Sequence, residues 1–302
     1  MDILDNLIQT AQISGTINIQ CQFQGQWFVE HKSQKNQGIV HIVTSGKGYV
    51  KIANEPPRLM QAGDIIFFPR CEEHVFSHNL ACENLNVAVQ ETQSGAFQFK
   101  HTGQGERELS LFCATFHYDP HAELIFNLPH MLFLHITQSQ LSPLLQLLTS
   151  ESQRFLTGSR SVIDALANVL LVKLIRAYLA QENHELTGTL NGWQDKRLRV
   201  LIQQIVATPQ ENWSVKRMTD IAHISRAQLM RLFKQKIAIS PHAFVMKQRL
   251  QKAAMLLNRS ADSILNIALA TGFQSETHFG KAFKRYYGVQ PSVYRKQKRL
   301  QN

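Results

Sequence analysis

The chain has 302 residues, 44% of them hydrophobic, which allows substantial buried cores and favours two domains over one. Its net charge of +10 is unevenly distributed: residues 194–302 carry 20 Lys and Arg against 5 Asp and Glu, and the remainder has a net charge of −5. This split predicts a polyanion-binding module attached to a domain with another role.

Targeting signals are not evident in the sequence. The first residues, MDILDNLIQT, are acidic and lack the basic start and apolar core of a secretory signal. The most apolar stretch, 162–180, contains Lys173 and Arg176, which disfavours a membrane span. We therefore expect a cytoplasmic protein with no membrane partner.

Residues from about 16 to 136 are predicted to form short strands. Apolar and aromatic runs such as 38–43 and 65–68 alternate with turn residues at 45–48 and 62–64. Many short strands at regular intervals are typical of a β-sandwich or barrel. We expect residues 1–137 to form a β-barrel sensor or ligand-binding domain.

Aromatic side chains in these strands are candidates for a ligand pocket. Trp27, Phe28, Phe67 and Phe68 would suit a hydrophobic small-molecule effector, although the same side chains would also simply fill a core. The sequence leaves both interpretations open.

Helices are predicted from residue 138 onward. Leucines from Leu141 to Leu148, and apolar residues between 162 and 178, recur near a period of 3.6. The segment 138–183 is predicted to join two subunits into a homodimer or to pack on its own barrel. The polar, glycine-containing stretch 184–193 is predicted to be a linker to the domain 194–302.

The segment 194–302 contains an internal repeat. SRAQLMRLFKQKIAISPHAF, which begins at Ser225, aligns with SETHFGKAFKRYYGVQPSVY, which begins at Ser275. A short apolar helix and a turn precede each copy, so that 215–236 and 264–287 both have the pattern of a helix-turn-helix. Two such units can address adjacent major-groove faces of double-stranded DNA. An all-helical interaction module with merely solvated charges is the alternative.

These motifs resemble the AraC/XylS family of bacterial transcription regulators. The most specific run is IALATGFQSETHFGKAFKRYYGVQPSVYR, residues 267–295, whereas Thr219 and Ala238 stand where the family usually has alanine and glycine. Segments 41–52 and 61–76 also resemble the family's cupin-like sensor domains. The implied fold is an α+β multidomain protein: a cupin-like β-barrel, a helical dimerisation element, and an all-α C-terminal domain with two helix-turn-helix motifs.

The resemblance places DNA contacts on the two second helices. Base contacts are expected at the positions that periodicity also leaves exposed: Arg226, Ala227, Met230, Arg231, Glu276, Thr277 and Lys281. Phosphate contacts are expected at Lys234, Lys284 and Arg285. Arg231 is the strongest single candidate for base readout.

The same resemblance suggests a biological role. Over its whole length the chain most resembles an activator of a multidrug efflux pump that responds to hydrophobic toxic agents. The resemblance therefore implies an activator of efflux genes. Its expected partners are double-stranded DNA, a hydrophobic effector and, since it activates transcription, RNA polymerase. We expect no enzyme activity, no catalytic residue and no cofactor.

Histidines and cysteines in the barrel raise two further hypotheses. His41, His74 and His78 would be the ligands of a cupin-type metal enzyme fused to a DNA-binding domain, yet their spacing departs from the enzyme pattern, and structural hydrogen bonds are favoured over a metal. Cys21 and Cys113 occupy places resembling the cysteines of an oxidant-sensing relative. They are predicted to be either a redox pair or, as favoured, inert buried thiols.

Overall fold

The computed structural model describes residues 2–52, 55–83, 87–103, 107–119, 121–136, 138–153, 156–181 and 186–299. Its helices are α1 (Ile3–Thr10), α2 (Glu123–Phe126), α3 (Gln138–Gln153), α4 (Ser159–Leu179), α5 (Gly188–Gln194), α6 (Arg199–Ala207), α7 (Val215–Ala222), α8 (Arg226–Lys236), α9 (Pro241–Arg259), α10 (Ile264–Ala270), α11 (Glu276–Tyr287) and α12 (Pro291–Arg299). Its strands are β1 (Ser14–Gln24), β2 (Phe28–His31), β3 (Gln37–Ile52), β4 (Arg58–Gln61), β5 (Asp64–Phe68), β6 (His74–Ser77), β7 (Gln90–Ser94), β8 (Phe97–Thr102), β9 (Arg107–His117) and β10 (Leu132–His135).

The chain divides into two compact units. The barrel unit comprises Ser14–Tyr118 and Leu128–Glu185. The helical unit comprises Leu186–Asn302 together with two short segments from earlier in the chain, Met1–Ile13 and Asp119–Asn127. The predicted α+β architecture is confirmed: a curled, cupin-like sheet and a helical helix-turn-helix domain.

The barrel unit is a strongly curled, largely antiparallel sheet. Its strands follow the order β10-β5-β3-β9-β1-β8-β7, and β1 and β8 are parallel. The long strand β3 bends at a register shift between Val43 and Ser45 and then pairs with β4 and β6, while β2 pairs with β6. This second layer faces the first, and side chains from both layers, including Trp27, Phe68 and Phe76, fill one hydrophobic cluster.

Helix α4 covers one face of the barrel unit. Ile163, Leu166, Leu170 and Leu174 are buried, because the apolar stripe of α4 packs on β1. Most of the stripe that the sequence assigned to dimerisation or packing thus serves packing within the chain. Among the described helices, none has the length and apolarity to span a lipid bilayer.

The helical unit departs from the predicted boundaries in two places. Residues 188–193 of the predicted linker 184–193 belong to helix α5, in which Leu190 is buried and which packs on α6 and α8. Residues 182–185 lie outside the described residues. Helix α1, assigned by sequence to the sensor, packs on α6 and α9 through Ile3, Leu4 and Leu7. Both segments are short, so their apolar residues gave no clear period.

Candidate DNA-binding interface and buried histidine–thiol cluster

Serine caps define the helices of both helix-turn-helix units. Ser214 and Ser225 cap α7 and α8, and Ser263 and Ser275 cap α10 and α11, each accepting a hydrogen bond from a backbone N–H three residues later. Such a cap contributes about 1 kcal/mol and fixes where the helix begins. The starts of both reading helices, α8 and α11, are therefore encoded locally.

The turns of the two units are not equivalent. The second turn contains Gly272 at φ +88°, where an added Cβ would lie 2.6 Å from the carbonyl oxygen of Gln210, so that only glycine fits. In the first unit His223 takes the left-handed conformation at φ +51°. Ala238 also lies at φ +68°, at the position that Gly288 occupies in the second copy. The first copy therefore carries backbone strain that the second avoids with glycine.

The residues predicted to contact DNA lie on the open faces of α8 and α11. Leu229, Leu232 and Phe233 bury one face of α8, and Phe279, Ala282 and Phe283 the corresponding face of α11. Met230 is half-buried, and the other predicted contact residues are exposed: Arg226, Ala227, Arg231, Lys234, Glu276, Thr277, Lys281, Lys284 and Arg285. The structure thus gathers these positions on two helices whose exposed faces suit a major groove about 12 Å wide.

Arg249, in the middle of α9, connects the two helix-turn-helix units through hydrogen bonds to backbone carbonyls beside the first and within the second. Its Nε donates to the carbonyl of Pro209 at 2.7 Å, Nη2 to Glu211 at 2.8 Å and Nη1 to Gly272 at 2.9 Å. Pro209 and Glu211 precede the first helix-turn-helix, and Gly272 forms the turn of the second. Sequence reasoning did not identify Arg249, because its partners lie 23 to 40 residues away.

Two acidic residues, Asp119 and Glu123, form hydrogen bonds and an ion pair with side chains of α9 and α12. Glu123 is buried and accepts hydrogen bonds from Gln248 at 3.4 Å and from the backbone N–H of Thr189 at 3.2 Å, with Lys247 Nζ 3.3 Å away. Tyr294, a residue of the family signature, donates to Asp119. Burial raises the pKa of Tyr294, so that its hydroxyl remains a donor at neutral pH. This signature residue is structural and does not lie on a reading face.

The four candidate pocket residues do not share one cavity. Trp27 and Phe68 lie in the interior cluster, whereas Phe67 packs on the opposite face of β5 against Phe116. Phe28 is half-buried and alternates with Trp27 and Val29, which point inward. Because successive side chains of a strand face opposite sides, adjacent aromatic residues cannot line the same pocket. Only Trp27 and Phe68 could contact a ligand inside the barrel.

Buried histidines and cysteines form a connected cluster in the barrel. Cys21 Sγ lies 3.8 Å from Cys113 Sγ, Cys113 Sγ 3.1 Å from His41 Nδ1, and His41 Nε2 3.0 Å from His74 Nε2. His74 Nδ1 lies 2.7 Å from the carbonyl of Glu72, which can only accept. Each direction then follows: His74 donates to Glu72, His41 to His74, Cys113 to His41 and Cys21 to Cys113.

The imidazoles of this cluster are neutral. Burial lowers the pKa of His74 to about 4 and that of His31, stacked on it with centroids 4.7 Å apart, to about 3. Burial also lowers the pKa of His41 well below its usual value and raises that of the Cys113 thiol well above it. The three imidazoles and the Cys113 thiol therefore carry no charge at neutral pH.

The third histidine differs from the one that the sequence suggested. His78 lies just beyond β6 and is 3.1 Å from the carbonyl of Trp27, outside the cluster. His31 takes its place, because β2 pairs with β6 in a register that sets His31 opposite His74. That pairing joins residues 43 apart in sequence, and no local spacing could have indicated it.

Two helix-turn-helix units with basic reading faces, joined to a cupin-like sheet, define a DNA-binding transcription regulator. Residues 2–180 match the family model described as Cupin, and residues 218–297 match the one described as Helix-turn-helix domain. With its relatives, these matches show that the chain belongs to the AraC family of transcription regulators, and not to a family of enzymes.

Several relatives are similar over nearly their full length. The chain is 50% identical to the HTH-type transcriptional regulator MtrA of Neisseria gonorrhoeae over 300 residues, covering 98% of this chain and 99% of MtrA. It is 38% identical to an uncharacterized HTH-type transcriptional regulator of Haemophilus influenzae, with 98% and 99% covered. It is 26% identical to the RCS-specific HTH-type transcriptional activator RclR of Escherichia coli, with 99% of each covered.

Proposed function

We propose that the chain is a cytoplasmic activator of multidrug efflux genes whose DNA binding responds to a hydrophobic small molecule. The observation that carries this proposal is the 50% identity to MtrA, which spans both the barrel and the reading helices. The resemblance to an efflux-pump activator, stated above from the sequence, supplies the efflux role. The aromatic interior around Trp27 and Phe68 offers apolar contacts for such an effector.

The base contacts proposed for α8 and α11 remain those expected from the sequence, and Lys234, Lys284 and Arg285 are proposed to hold phosphates. In support, these three cations and Arg231 are exposed on the reading helices. Phosphate contacts fix the register of a protein on DNA, and base-edge contacts select the sequence. An activator bound in this way would present a surface to RNA polymerase.

A homodimer is proposed to form through α3 and α4. Although most of the α4 stripe is buried in its own barrel, Val162 is 37% exposed and Val169, one heptad later, 48% exposed. Leu147 of α3 is 50% exposed. These apolar side chains stay exposed when α4 packs on its own barrel, and their exposure supports a dimer interface there.

Effector binding is expected to change operator affinity about 5- to 150-fold, the usual range for coupling between two sites. A nonionic detergent titrated into the full-length protein should give saturable heat with a negative heat-capacity change, because apolar surface is buried. Operator binding measured with and without the detergent gives the coupling, and a promoter–reporter fusion gives its direction. A protein that binds no hydrophobic probe contradicts the effector proposal.

Matched variants locate the effector. Phe68→Leu alters the interior cluster and should change the affinity for the detergent, whereas Phe28→Leu makes the same chemical change on a side chain that points away from it. Equal effects of both variants would place the effector outside the barrel interior.

A second candidate function is oxidant sensing through Cys21 and Cys113. Their sulfurs are 3.8 Å apart, so that a disulfide of about 2.05 Å requires a shift of less than 2 Å. A peroxide would take two electrons from the pair: one thiolate is converted to a sulfenic acid, and the other thiol displaces water to form the disulfide. The raised pKa of the Cys113 thiol and the lowered pKa of its neighbour His41 both oppose formation of the reactive thiolate, whereas the short distance between the two sulfurs favours the disulfide.

Peroxide treatment of the full-length protein tests this second candidate. We expect a Cys21–Cys113 disulfide in peptide mass spectra, together with changed operator binding. Cys82→Ala, which alters a half-buried thiol outside the cluster, should leave both results intact, and Cys21→Ala should abolish both. An unchanged transcriptional response to oxidants in Cys21→Ala and Cys113→Ala would remove this candidate.

A further inference from the structure

Three imidazoles converge inside the barrel unit from three different strands. His31 ends β2, His74 begins β6 directly opposite it, and His41 lies in the first half of β3. One ring nitrogen from each lies within 4.8 Å of the other two. His41 and His74 are 0% and 1% exposed, whereas His31 is partly exposed.

We propose that His31, His41 and His74 bind one transition-metal ion of the zinc class, and that Cys113 is the outer-shell partner of His41. A tetrahedral ion with Zn–N bonds of about 2.0–2.1 Å holds two nitrogens about 3.3 Å apart. The Nε2 atoms of His41 and His74 are 3.0 Å apart, so that the pair needs to open by only a few tenths of an ångström. His31, whose ring stacks on His74 with centroids 4.7 Å apart, supplies the third nitrogen.

The surroundings of the three rings are those of a metal site. His74 donates its Nδ1–H to the carbonyl of Glu72, which leaves Nε2 unprotonated and aimed at His41. A backbone acceptor on the distal nitrogen is the usual way in which proteins orient a ligating histidine. Phe68 stacks on His74 at 3.8 Å and Phe76 packs on His41 at 4.5 Å, so that apolar rings fix both imidazoles.

This ligand set is unlike the pattern of cupin enzymes. That pattern takes two histidines from one strand with a nearby glutamate, whereas these three histidines come from three strands, and no carboxylate of the described residues joins their cluster. Three neutral nitrogens leave the fourth position of a tetrahedral ion open to water or another small ligand. Neutral nitrogen donors suit zinc and other borderline ions better than magnesium or calcium.

Metal binding would reverse a hydrogen bond deeper in the cluster. Without the ion, His41 donates from Nε2 to His74 and accepts at Nδ1 from Cys113. Coordination through Nε2 requires its proton to be carried on Nδ1 instead, and that proton then points at Cys113 Sγ. Cys113 cannot bind the same ion, because it contacts Nδ1 of His41 whereas the ion would be bound by Nε2. Metal occupancy and the environment of the Cys21–Cys113 pair are therefore linked.

Zinc binding to the tag-free, full-length protein tests the proposal. After chelator treatment, equilibrium dialysis with elemental analysis should give one zinc per chain. His31→Gln removes a ligand at a partly exposed position and should weaken binding more than about 100-fold, beyond the 10- to 100-fold loss typical of outer-shell changes. Cys113→Ala should keep the stoichiometry and weaken binding within that smaller range.

His130→Gln is the matched control, because His130 is an exposed histidine paired with Glu55 and should leave zinc affinity unchanged. Cobalt substituted for zinc should show tetrahedral absorption without a thiolate charge-transfer band. A thiolate band would refute the outer-shell role of Cys113. The proposal is overturned if the wild type binds no zinc, or if a folded His31→Gln protein, checked by circular dichroism, binds it with wild-type affinity.

Discussion

Replacing Arg249 with Met should lower the free energy of unfolding of the helical unit by about 3–5 kcal/mol, because three backbone carbonyls lose charged donors at once. Those carbonyls belong to Pro209, Glu211 and Gly272, at 2.7, 2.8 and 2.9 Å. Hydrogen exchange followed by mass spectrometry in the full-length protein measures the loss within residues 199–299. Faster exchange is expected in the peptides that contain the two turns.

DNA binding should respond to the same substitution. Two readers held in one rigid frame bind a full operator far more tightly than two loosely tethered ones. Arg249→Met should therefore weaken binding to a full site more than binding to a half-site. Arg259→Met is the control: it removes an exposed arginine from the same helix, and neither exchange nor affinity should change. Equal exchange rates in the two variants would refute the bracing role of Arg249.

Replacing Arg231 with Ala should weaken operator binding by about 1–3 kcal/mol, roughly 5- to 150-fold, and relax sequence preference at one position. Arg231 is exposed in the middle of α8, on the face opposite Leu229 and Phe233. Selection of bound fragments from a random DNA pool, done with wild type and variant, shows which base position loses its preference. Unchanged affinity and unchanged preference would remove Arg231 from the reading face.

Two further substitutions separate base reading from charge. Lys234→Ala, on the same helix, should weaken binding to all sequences alike and reduce the salt dependence by about one phosphate equivalent. Arg176→Ala removes an exposed positive charge from α4 in the barrel unit and should change neither affinity nor preference. An effect of Arg176→Ala as large as that of Arg231→Ala would mean that net charge alone governs affinity.

The helix-turn-helix units could be predicted from the sequence because their determinants are local. Serine caps such as Ser225 and Ser275, and apolar residues at helical spacing, lie within a few positions of what they control. The 50-residue repeat then identified two copies of the same motif. The barrel was predicted as a class for the same reason, since strands and turns leave local patterns.

Contacts between distant segments could not be read in this way. The sequence put adjacent Phe67 and Phe68 in one pocket, but the strand directs them to opposite faces. It assigned α1 to the sensor and residues 188–193 to a linker, but α1 and α5 are helices packed on α6. These errors share a cause: short segments take their structure from the surface on which they pack, which has no signature in their own residues.

The sequence by itself determined that this protein reads DNA with two unequal helix-turn-helix units, because a helical period, a cap and a basic face are properties of neighbouring residues. Only the tertiary structure decided which arginine braces the two readers and which histidine completes the buried cluster. Arg249 meets its carbonyl partners, and His31 meets His74, through strand pairing and helix packing across long stretches of chain. These contacts depend on strand register and on how the helices pack, and the spacing of residues along the sequence does not reveal them.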